Sequence, residues 1–248
     1  MGTRVTNLFQ TAGNGIIDLS VPGAAELLER AGGSAKPLGT FTAQRSSFPL
    51  GCTVVQSSSG GAVAAGEINA NGDAAAKQVG TQVAFSSTNT RALVRDVDTI
   101  LGQSNRVDPD TILAVKRIGW TVSANNGDLD PYTGDFDVLR YMLSRIFFDF
   151  SIGTLPIVRP SALRNWTDVN QPQVAAAVAE TNPTSLIRAE WLIDAAQAGP
   201  LDQIIFPEDQ ISCRLTNPLA LSGLGASAYF TFRPYAHGVR YQRAGGVG

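Results

Sequence analysis

The sequence predicts a mainly β protein, built as an antiparallel jelly-roll sandwich or barrel with a few short helices and an N-terminal arm. Apolar and polar residues alternate in several segments after residue 80, as in strands that bury one face of a sheet. Proline and glycine residues separate these segments, and regular helices of the kind that connect parallel strands are not evident between them. The length of 248 residues suffices for one large domain with a substantial core.

Five segments carry the alternation, and each is predicted to be a strand with one buried face. In the first of them Lys116 interrupts the apolar series, while Leu113 and Val115 occupy the opposite parity. Apolar residues on both parities indicate a strand that is covered on both faces. The five segments are residues 112–122, 187–193, 211–215, 230–232 and 239–241.

Residues 1–80 are expected to form the arm, which contains one short helix. Ser20 is a suitable N-cap and Gly32 a suitable stop, so the helix is predicted between them. A helix this short is unstable alone in water, and its apolar stripe must dock on its own domain or on a neighbouring subunit. The stripe, whose members are the candidate subunit contacts, consists of Ala24, Leu27, Leu28 and Ala31.

A stretch rich in Gly, Ser and Ala at residues 51–80 marks the predicted boundary between the arm (residues 1–80) and the jelly-roll domain (residues 81–248). Two interpretations stay open for this stretch. It is an extended clamp between subunits, or it is a long surface loop of one compact domain. Loops longer than about 12–15 residues are uncommon in compact domains, which gives the clamp equal weight.

Three further segments have helical features. Residues 135–146 are predicted to form a helix, with Asp135 or Asp137 as its cap and with Met142 and Ile146 on its apolar side. A second, Ala-rich helix is expected at residues 172–180. Residues 90–101 fit a helix and a loop equally well.

Charge and composition favour protein–protein contact over nucleic-acid binding. Charged residues make up only 16% of the chain, below the usual quarter, which suggests a surface that meets other protein. A soluble domain with a polar, uncharged surface would share this composition. The net charge is −2, and the first 80 residues hold five basic and five acidic residues, so no direct nucleic-acid binding is expected.

Residue types needed for catalysis and metal binding are scarce, and we expect neither enzyme activity nor a cofactor. His237 is the single histidine, so any histidine-dependent triad or zinc site would have to use it. Cys52 and Cys213 are expected to be buried thiols. The densest acidic cluster is either a weak calcium site or a polar turn that caps the following helix. The candidate calcium ligands are Asp128, Asp130 and Asp135.

Several segments in the last two thirds of the chain follow one another in a characteristic order. Residues 83–90 resemble an entry strand, residues 111–122 the next strand, and residues 137–152 a connecting segment. Residues 201–215 are similar to a late strand pair, and residues 229–243 to a closing strand. In this order and texture the chain resembles the jelly-roll coat proteins of tailless icosahedral, often membrane-containing, double-stranded DNA bacteriophages and related viruses.

This resemblance implies a structural virion protein, a capsid subunit that self-assembles into an icosahedral shell through its jelly roll and its N-terminal arm. The implied partners are copies of itself in the capsid lattice, together with other virion proteins and an internal membrane. The implied location is the virion, with assembly in the host cytoplasm. The alternatives are a carbohydrate- or receptor-binding β-sandwich module, from a phage fibre, a spike or a secreted lectin-like protein, and a hydrolase on the same scaffold. Exposed aromatic residues or bound calcium would favour the binding module, whereas the single histidine argues against the hydrolase.

Overall fold

A computed structural model describes residues 3–69, 83–84, 90–91, 96–126, 130–131, 141–142, 145–162, 185–192, 203–226 and 228–245. The chain is mainly β. Helix α1 spans Ala24–Ala31, and short 3-10 helices lie at Gly32–Ser34 and Gln103–Asn105. The described strands, in chain order, are β1 (Arg4–Gln10), β2 (Ile16–Asp18), β3 (Lys36–Pro49), β4 (Thr53–Gln56), β5 (Gly66–Asn69), β6 (Val83–Ala84), β7 (Thr90–Arg91), β8 (Thr111–Asn126), β9 (Asp130–Pro131), β10 (Phe147–Ile152), β11 (Leu155–Ala162), β12 (Ser185–Leu192), β13 (Gln203–Ile205), β14 (Ile211–Asn217) and β15 (Ala228–Arg243).

The larger sheet is antiparallel and nearly closed. Its described strands follow the order β12-β8-β15-β3-β1-β2, with β13 and β9 also paired to β8 and β4 paired to β15. Strand β15 is central, because it pairs with β8 along one side and with β3 and β4 along the other. The first long strand of the chain and the last therefore lie side by side.

Strands β1, β2, β3 and β4, which lie in the expected arm, belong to this sheet, and β5 belongs to a second sheet; the domain boundary at residue 80 stays a prediction. Strand β3 lies between β15 and β1, and its Phe48 is buried in the same core as β8 and β15. The sequence does not indicate this strand, because β3 buries Phe41 and Ala43 on one face and Phe48 on the other. No single alternation of apolar residues therefore runs through it. Residues 70–80 of the stretch expected to mark the boundary lie outside the described residues.

A second, antiparallel sheet has the order β11-β10-β14-β5 and packs on the larger sheet. Between the two sheets lies the inter-sheet core, where the ring centroids of Trp120 and Phe148 are 4.6 Å apart. Phe232 adds a third ring, 6.4 Å from that of Phe148. The alternation predicted for residues 211–215 is confirmed, since Ile211, Cys213 and Leu215 are all buried in this core.

A β-bulge interrupts β8 at Lys116, which is the extra residue relative to β15. The extra residue shifts the alternation by one position, so Val115 and Ile118 both face the inter-sheet core. Ile112 and Ala114 face the other side of the sheet and are also buried. The beginning of β8 is therefore covered on both faces, which confirms that prediction and explains the interruption at Lys116.

A smaller apolar cluster, the end cluster, occupies that other side of the sheet. Ile16 of β2 and Ile204 of β13 both pack against it, so two strands at opposite ends of the nearly closed sheet contribute. Leu38 packs against it from β3. Its buried members are Leu8, Phe41, Ala43, Ile112, Ala114, Val239 and Tyr241.

Helix α1 lies within the predicted range but starts differently. Its N-cap is Gly23, in a left-handed conformation and without a side-chain cap, whereas the Ser20 hydroxyl donates to Asp18 instead. The expected Ser20 cap is therefore wrong. Gly32, with a φ of 55°, ends the helix as predicted.

The other predicted helical segments are confirmed only in part. Residues 141–142 and 145 are helical, and Met142 and Ile146 are buried in the inter-sheet core. Residues 96–98 form a turn rather than a helix, while residues 172–180 lie outside the described part of the chain. Of the expected entry strand at residues 83–90, the structure describes β6 and the first residue of β7, which pair antiparallel, and the rest lies outside the described residues. Among the described helices, none has the length and apolarity needed to cross a membrane.

Candidate functional site

Helix α1 and the edge strand β2 carry the candidate subunit contacts. Ala24 is 3% exposed, and α1 packs against β2. Leu28 and Ala31 are half-buried. Leu27 is 54% exposed, although it belongs to the same apolar stripe. The helix therefore docks on its own domain through one end of the stripe and presents Leu27 to solvent.

Exposed apolar side chains are concentrated around this helix. Four of the nine large hydrophobic residues found exposed in the described ranges belong to β1, to the turn between β2 and α1, and to α1. The backbone of Leu19 is bonded to that of Asn7, which places Leu19 beside the outward side of β1. Clustered exposed apolar residues mark interaction surfaces in soluble proteins. This N-terminal apolar surface consists of Val5, Leu19, Val21 and Leu27.

A buried carboxylate anchors the same region. Asp18 is 7% exposed; its Oδ2 atom lies 2.7 Å from Arg4 Nη2 and accepts the Tyr241 hydroxyl at 3.0 Å, and its Oδ1 atom accepts the hydroxyls of Ser20 and Thr6. Burial alone raises the pKa of Asp18, but the hydrogen bonds from Ser20, Thr6 and Tyr241 outweigh burial and leave the pKa below its ordinary value. The cluster joins β1, β2 and β15 just before α1, so it fixes the position of the N-terminal apolar surface.

A cavity of about 120 Å³ lies beside the inter-sheet core. The Oδ1 atom of Asn217 is buried there without a hydrogen-bond partner among the described residues, while its Nδ2 atom donates to the carbonyl of Ala64. The cavity is smaller than the roughly 300–1,000 Å³ of small-molecule sites, so it does not define a substrate pocket. Its lining consists of Val55, Val63, Ala64, Gly66, Glu67, Met142, Ile146, Leu215, Asn217 and Phe232.

His237 lies within β15, beside the β-bulge. Its Nδ1 atom is 2.9 Å from the hydroxyl oxygen of Ser47, the residue opposite it on β3. Cys52 and Cys213 are both buried thiols, as predicted. His237 lies on β15, Cys213 on β14, and Cys52 between β3 and β4.

The candidate calcium ligands fall mostly outside the described residues. Asp128 and Asp135 are not described, and of Asp130 only the backbone position at the start of β9 is. Within the described ranges, no group of three His, Cys, Asp or Glu residues is placed to hold a metal ion. The calcium site stays a prediction.

The outer face of the larger sheet carries a group of basic residues that the sequence analysis did not single out. Arg45 on β3, Arg117 on β8 and Arg233 on β15 are exposed, and His237 lies opposite Arg117. The bulge turns Lys116 to the same side as Arg117, because the residues flanking this pair both face the core. These five residues are named the basic face. Sequence spacing alone does not bring these residues together, because they come from three different strands.

The described residues thus define a two-sheet antiparallel β protein whose most developed surface features are an apolar surface and a basic face. No protein-family model matches the chain, no curated protein matches its sequence, and no solved structure matches its fold. The functional argument therefore rests on strand order, burial and charge.

Proposed function

We propose that the chain is a capsid subunit with jelly-roll topology that assembles into an icosahedral shell. The observation that carries the proposal is the order of eight strands. Numbered along the chain from first to eighth, these are β3, β5, β8, β10, β11, β12, β14 and β15. The larger sheet contains the first, eighth, third and sixth side by side, and the second sheet contains the second, seventh, fourth and fifth.

This order corresponds to one long hairpin rolled into two sheets. The first strand pairs with the eighth, the second with the seventh, the third with the sixth and the fourth with the fifth, all antiparallel. Jelly rolls are built from two Greek keys and include many viral capsid proteins, so this pairing supports the proposed jelly-roll topology. The fold alone does not imply the function, so the surface has to support the assembly as well.

The N-terminal apolar surface supplies the proposed subunit contact. Strands β1 and β2 and helix α1 are appended to the edge of the rolled hairpin at β3, and β2 ends the strand order on that side. An edge strand bordered by exposed apolar side chains is suited to pairing with another chain. Leu27, the most exposed member of the predicted stripe, is the central residue of the proposed contact.

Low surface charge supports repeated packing. With 16% charged residues and a net charge of −2, subunits repel one another little when they are concentrated in a lattice. Each contact need bury only a modest area, since a closed shell repeats it many times. The proposed partners are copies of the chain and other virion proteins, with or without an internal membrane, and the proposed location is the virion.

Size-exclusion chromatography combined with negative-stain electron microscopy tests the proposal. The wild-type chain is expected to form large, regular particles. Leu27→Asp is expected to abolish them while the circular dichroism spectrum stays β-rich, because the charge interrupts the apolar contact. Leu219→Asp, a matched change at an exposed residue in the loop after β14, is expected to leave the particles intact.

Three results would count against the proposal. A wild-type chain that stays monomeric at high concentration contradicts assembly. A small oligomer that binds glycans supports the carbohydrate-binding module in its place. Equal loss of particles in both variants would reject Leu27 as the specific contact.

A further inference from the structure

The basic face arises from residues that are far apart in sequence. Arg45 comes from β3, the Lys116–Arg117 pair from β8, and Arg233 and His237 from β15, three adjacent strands of the larger sheet. Neighbouring strands lie about 4.8 Å apart and residues rise about 3.3 Å along a strand. The register therefore places the whole face within roughly 20 Å along the strands.

Positive charge is segregated on this face. The outward positions of β3, β4, β8 and β15 between the register of Tyr229 and that of Val239 carry no acidic residue. Arg45 and Arg233 form no ion pair with any residue in the described part of the chain. On the neighbouring β12, the register places one acidic and one basic residue, Glu190 and Arg188, beside the face. Lys116 and Arg117 lie on the same side but already have partners, so Arg45 and Arg233 carry the charge that is available to a ligand.

Neutral hydrogen-bond donors lie between the charges. Ser47 is exposed beside His237, and Thr121 and Tyr235 occupy half-buried outward positions of β8 and β15. Phosphate groups are bound by such mixtures of Arg, Lys, Ser, Thr and Tyr side chains. A sheet face with cations and an aromatic ring is also the kind of surface over which single strands are laid in sequence-independent binders.

We propose that the basic face binds the phosphate backbone of single-stranded nucleic acid without sequence preference. The near-neutral net charge and the neutral first 80 residues predicted no such binding, but that count averages over residues which the fold separates. A face spread over three strands is unsuited to reading base edges in a groove, since grooves admit a helix or a narrow two-stranded ribbon. The inference stands on the charge distribution and does not require the proposed capsid assembly.

An anionic membrane is the competing partner, and the surface chemistry disfavours it. Proteins that lie on membranes combine basic residues with apolar side chains that enter the interface. The exposed large hydrophobic residues of the described ranges all lie outside β3, β8 and β15. The basic face therefore offers charge and hydrogen bonds without an apolar anchor.

Fluorescence anisotropy with a labelled single-stranded DNA of mixed sequence tests the inference. Binding is expected at about 50 mM salt, and the logarithm of the association constant should fall with the logarithm of salt concentration with a slope of about −1.4, from the two phosphate contacts of Arg45 and Arg233. The double variant Arg45→Gln/Arg233→Gln removes two contacts. The ratio of its affinities at about 50 and about 200 mM salt should be roughly sevenfold smaller than that of the wild type. Arg106→Gln, an exposed arginine paired to Glu208 outside the face, is the matched control and should behave as the wild type.

The outcomes separate this inference from the proposed function. DNA binding by a chain that never forms particles supports the inference and contradicts the capsid proposal, whereas particles from a chain that does not bind DNA do the reverse. Absence of binding at low salt overturns the inference. So does an equal loss in the Arg106 control, and so does tighter binding to phosphatidylserine vesicles than to DNA with the same dependence on Arg45 and Arg233.

Discussion

The two apolar clusters of the larger sheet are built differently, although both use β8 and β15. The inter-sheet core draws on both sheets and contains the largest buried side chains, among them Trp120, Phe148 and Phe232. The end cluster is smaller and is bordered by the buried carboxylate of Asp18, which accepts a hydrogen bond from Tyr241. Burial of apolar area stabilises the first, whereas the second combines burial with charged hydrogen bonds.

This difference has a consequence for stability. Apolar packing does not titrate, so changes in the inter-sheet core should lower the free energy of unfolding at every pH. The contribution of the Asp18 cluster depends on an ionised carboxylate and should vary with pH. Because the same two long strands run through both clusters, damage to either one should lower the stability of the whole domain.

The largest effect is expected in the inter-sheet core. Phe148 is fully buried against the rings of Trp120 and Phe232, so Phe148→Ala removes buried area and leaves a cavity. The free energy of unfolding in urea should fall by about 3–5 kcal/mol. Phe147→Ala, at the 37% exposed neighbouring residue, should cost about 1 kcal/mol or less. Equal losses in the two variants would show that the core is not packed as described.

The junction between the two clusters gives the next effect. A Cβ atom at Gly238 would lie 2.0 Å from the carbonyl oxygen of Ala114, so Gly238→Ala forces β8 and β15 apart beside the bulge. We expect a loss of about 2–3 kcal/mol in urea unfolding. Gly33→Ala meets no atom within 4 Å and should change stability by no more than about 0.5 kcal/mol. A harmless Gly238→Ala would mean that the two strands separate easily at the bulge.

The long strands show why the sequence predicted part of the fold. The alternation of residues 230–232 and 211–215 correctly predicted strands because the apolar residues of each stretch pack in the inter-sheet core. Strand β3 passes from the end cluster, where Phe41 is buried, to the inter-sheet core, where Phe48 is buried on the opposite face. A strand that changes its buried face has no single period, and its membership of the sheet depends on pairing with β15, some two hundred residues away.

The surface features were also predictable only in part from the sequence. The stripe of α1 was predictable from spacing, but only the tertiary packing decides that Ala24 is buried and Leu27 exposed. The basic face was not predictable from spacing, because Arg45, Arg117 and Arg233 come together only through the order of three strands and a bulge. The net charge of −2 gives no indication of this local group of basic residues.

A smaller and pH-dependent effect is expected in the end cluster. Asp18→Asn weakens four hydrogen-bonded contacts and should cost about 1–2 kcal/mol near neutral pH. The pKa of Asp18 is lowered on folding, so its contribution is present above the ordinary value of 3.8 and is lost as the pH falls through the folded-state pKa. The gap between wild type and variant in urea unfolding should therefore narrow only as the pH falls below 3.8.

Asp110→Asn is the matched control for this change, since Asp110 is exposed and 3.9 Å from Arg243. Asp110→Asn should leave the free energy of unfolding nearly unchanged both near neutral pH and in acid. A pH-independent loss in Asp18→Asn would show that the side chain acts by its shape and not by its charge.

The smallest effect, with the opposite sign, is expected on the second sheet. Burial raises the pKa of Asp149; nearby Arg214 lowers it only in part, and Glu67 raises it further. A carboxyl group with a raised folded-state pKa stabilises the fold below its unfolded pKa, and that contribution is lost as the pH rises through the folded value. Near neutral pH, Asp149→Asn should therefore be neutral or stabilising by up to about 1 kcal/mol, because it removes a poorly compensated buried charge.

The double variant Asp18→Asn/Asp149→Asn tests whether the two carboxylates change the free energy of unfolding in opposite directions. Asp18 and Asp149 belong to different sheets, share no hydrogen-bond partner among the described residues, and should act additively. Wild-type stability in acid then contains a loss from Asp18 and a gain from Asp149, and the double variant should show neither. A double variant that loses stability below pH 3.8 as steeply as Asp149→Asn, which keeps Asp18, would place the acid-sensitive groups elsewhere in the chain and contradict the assignment of pH dependence to the end cluster.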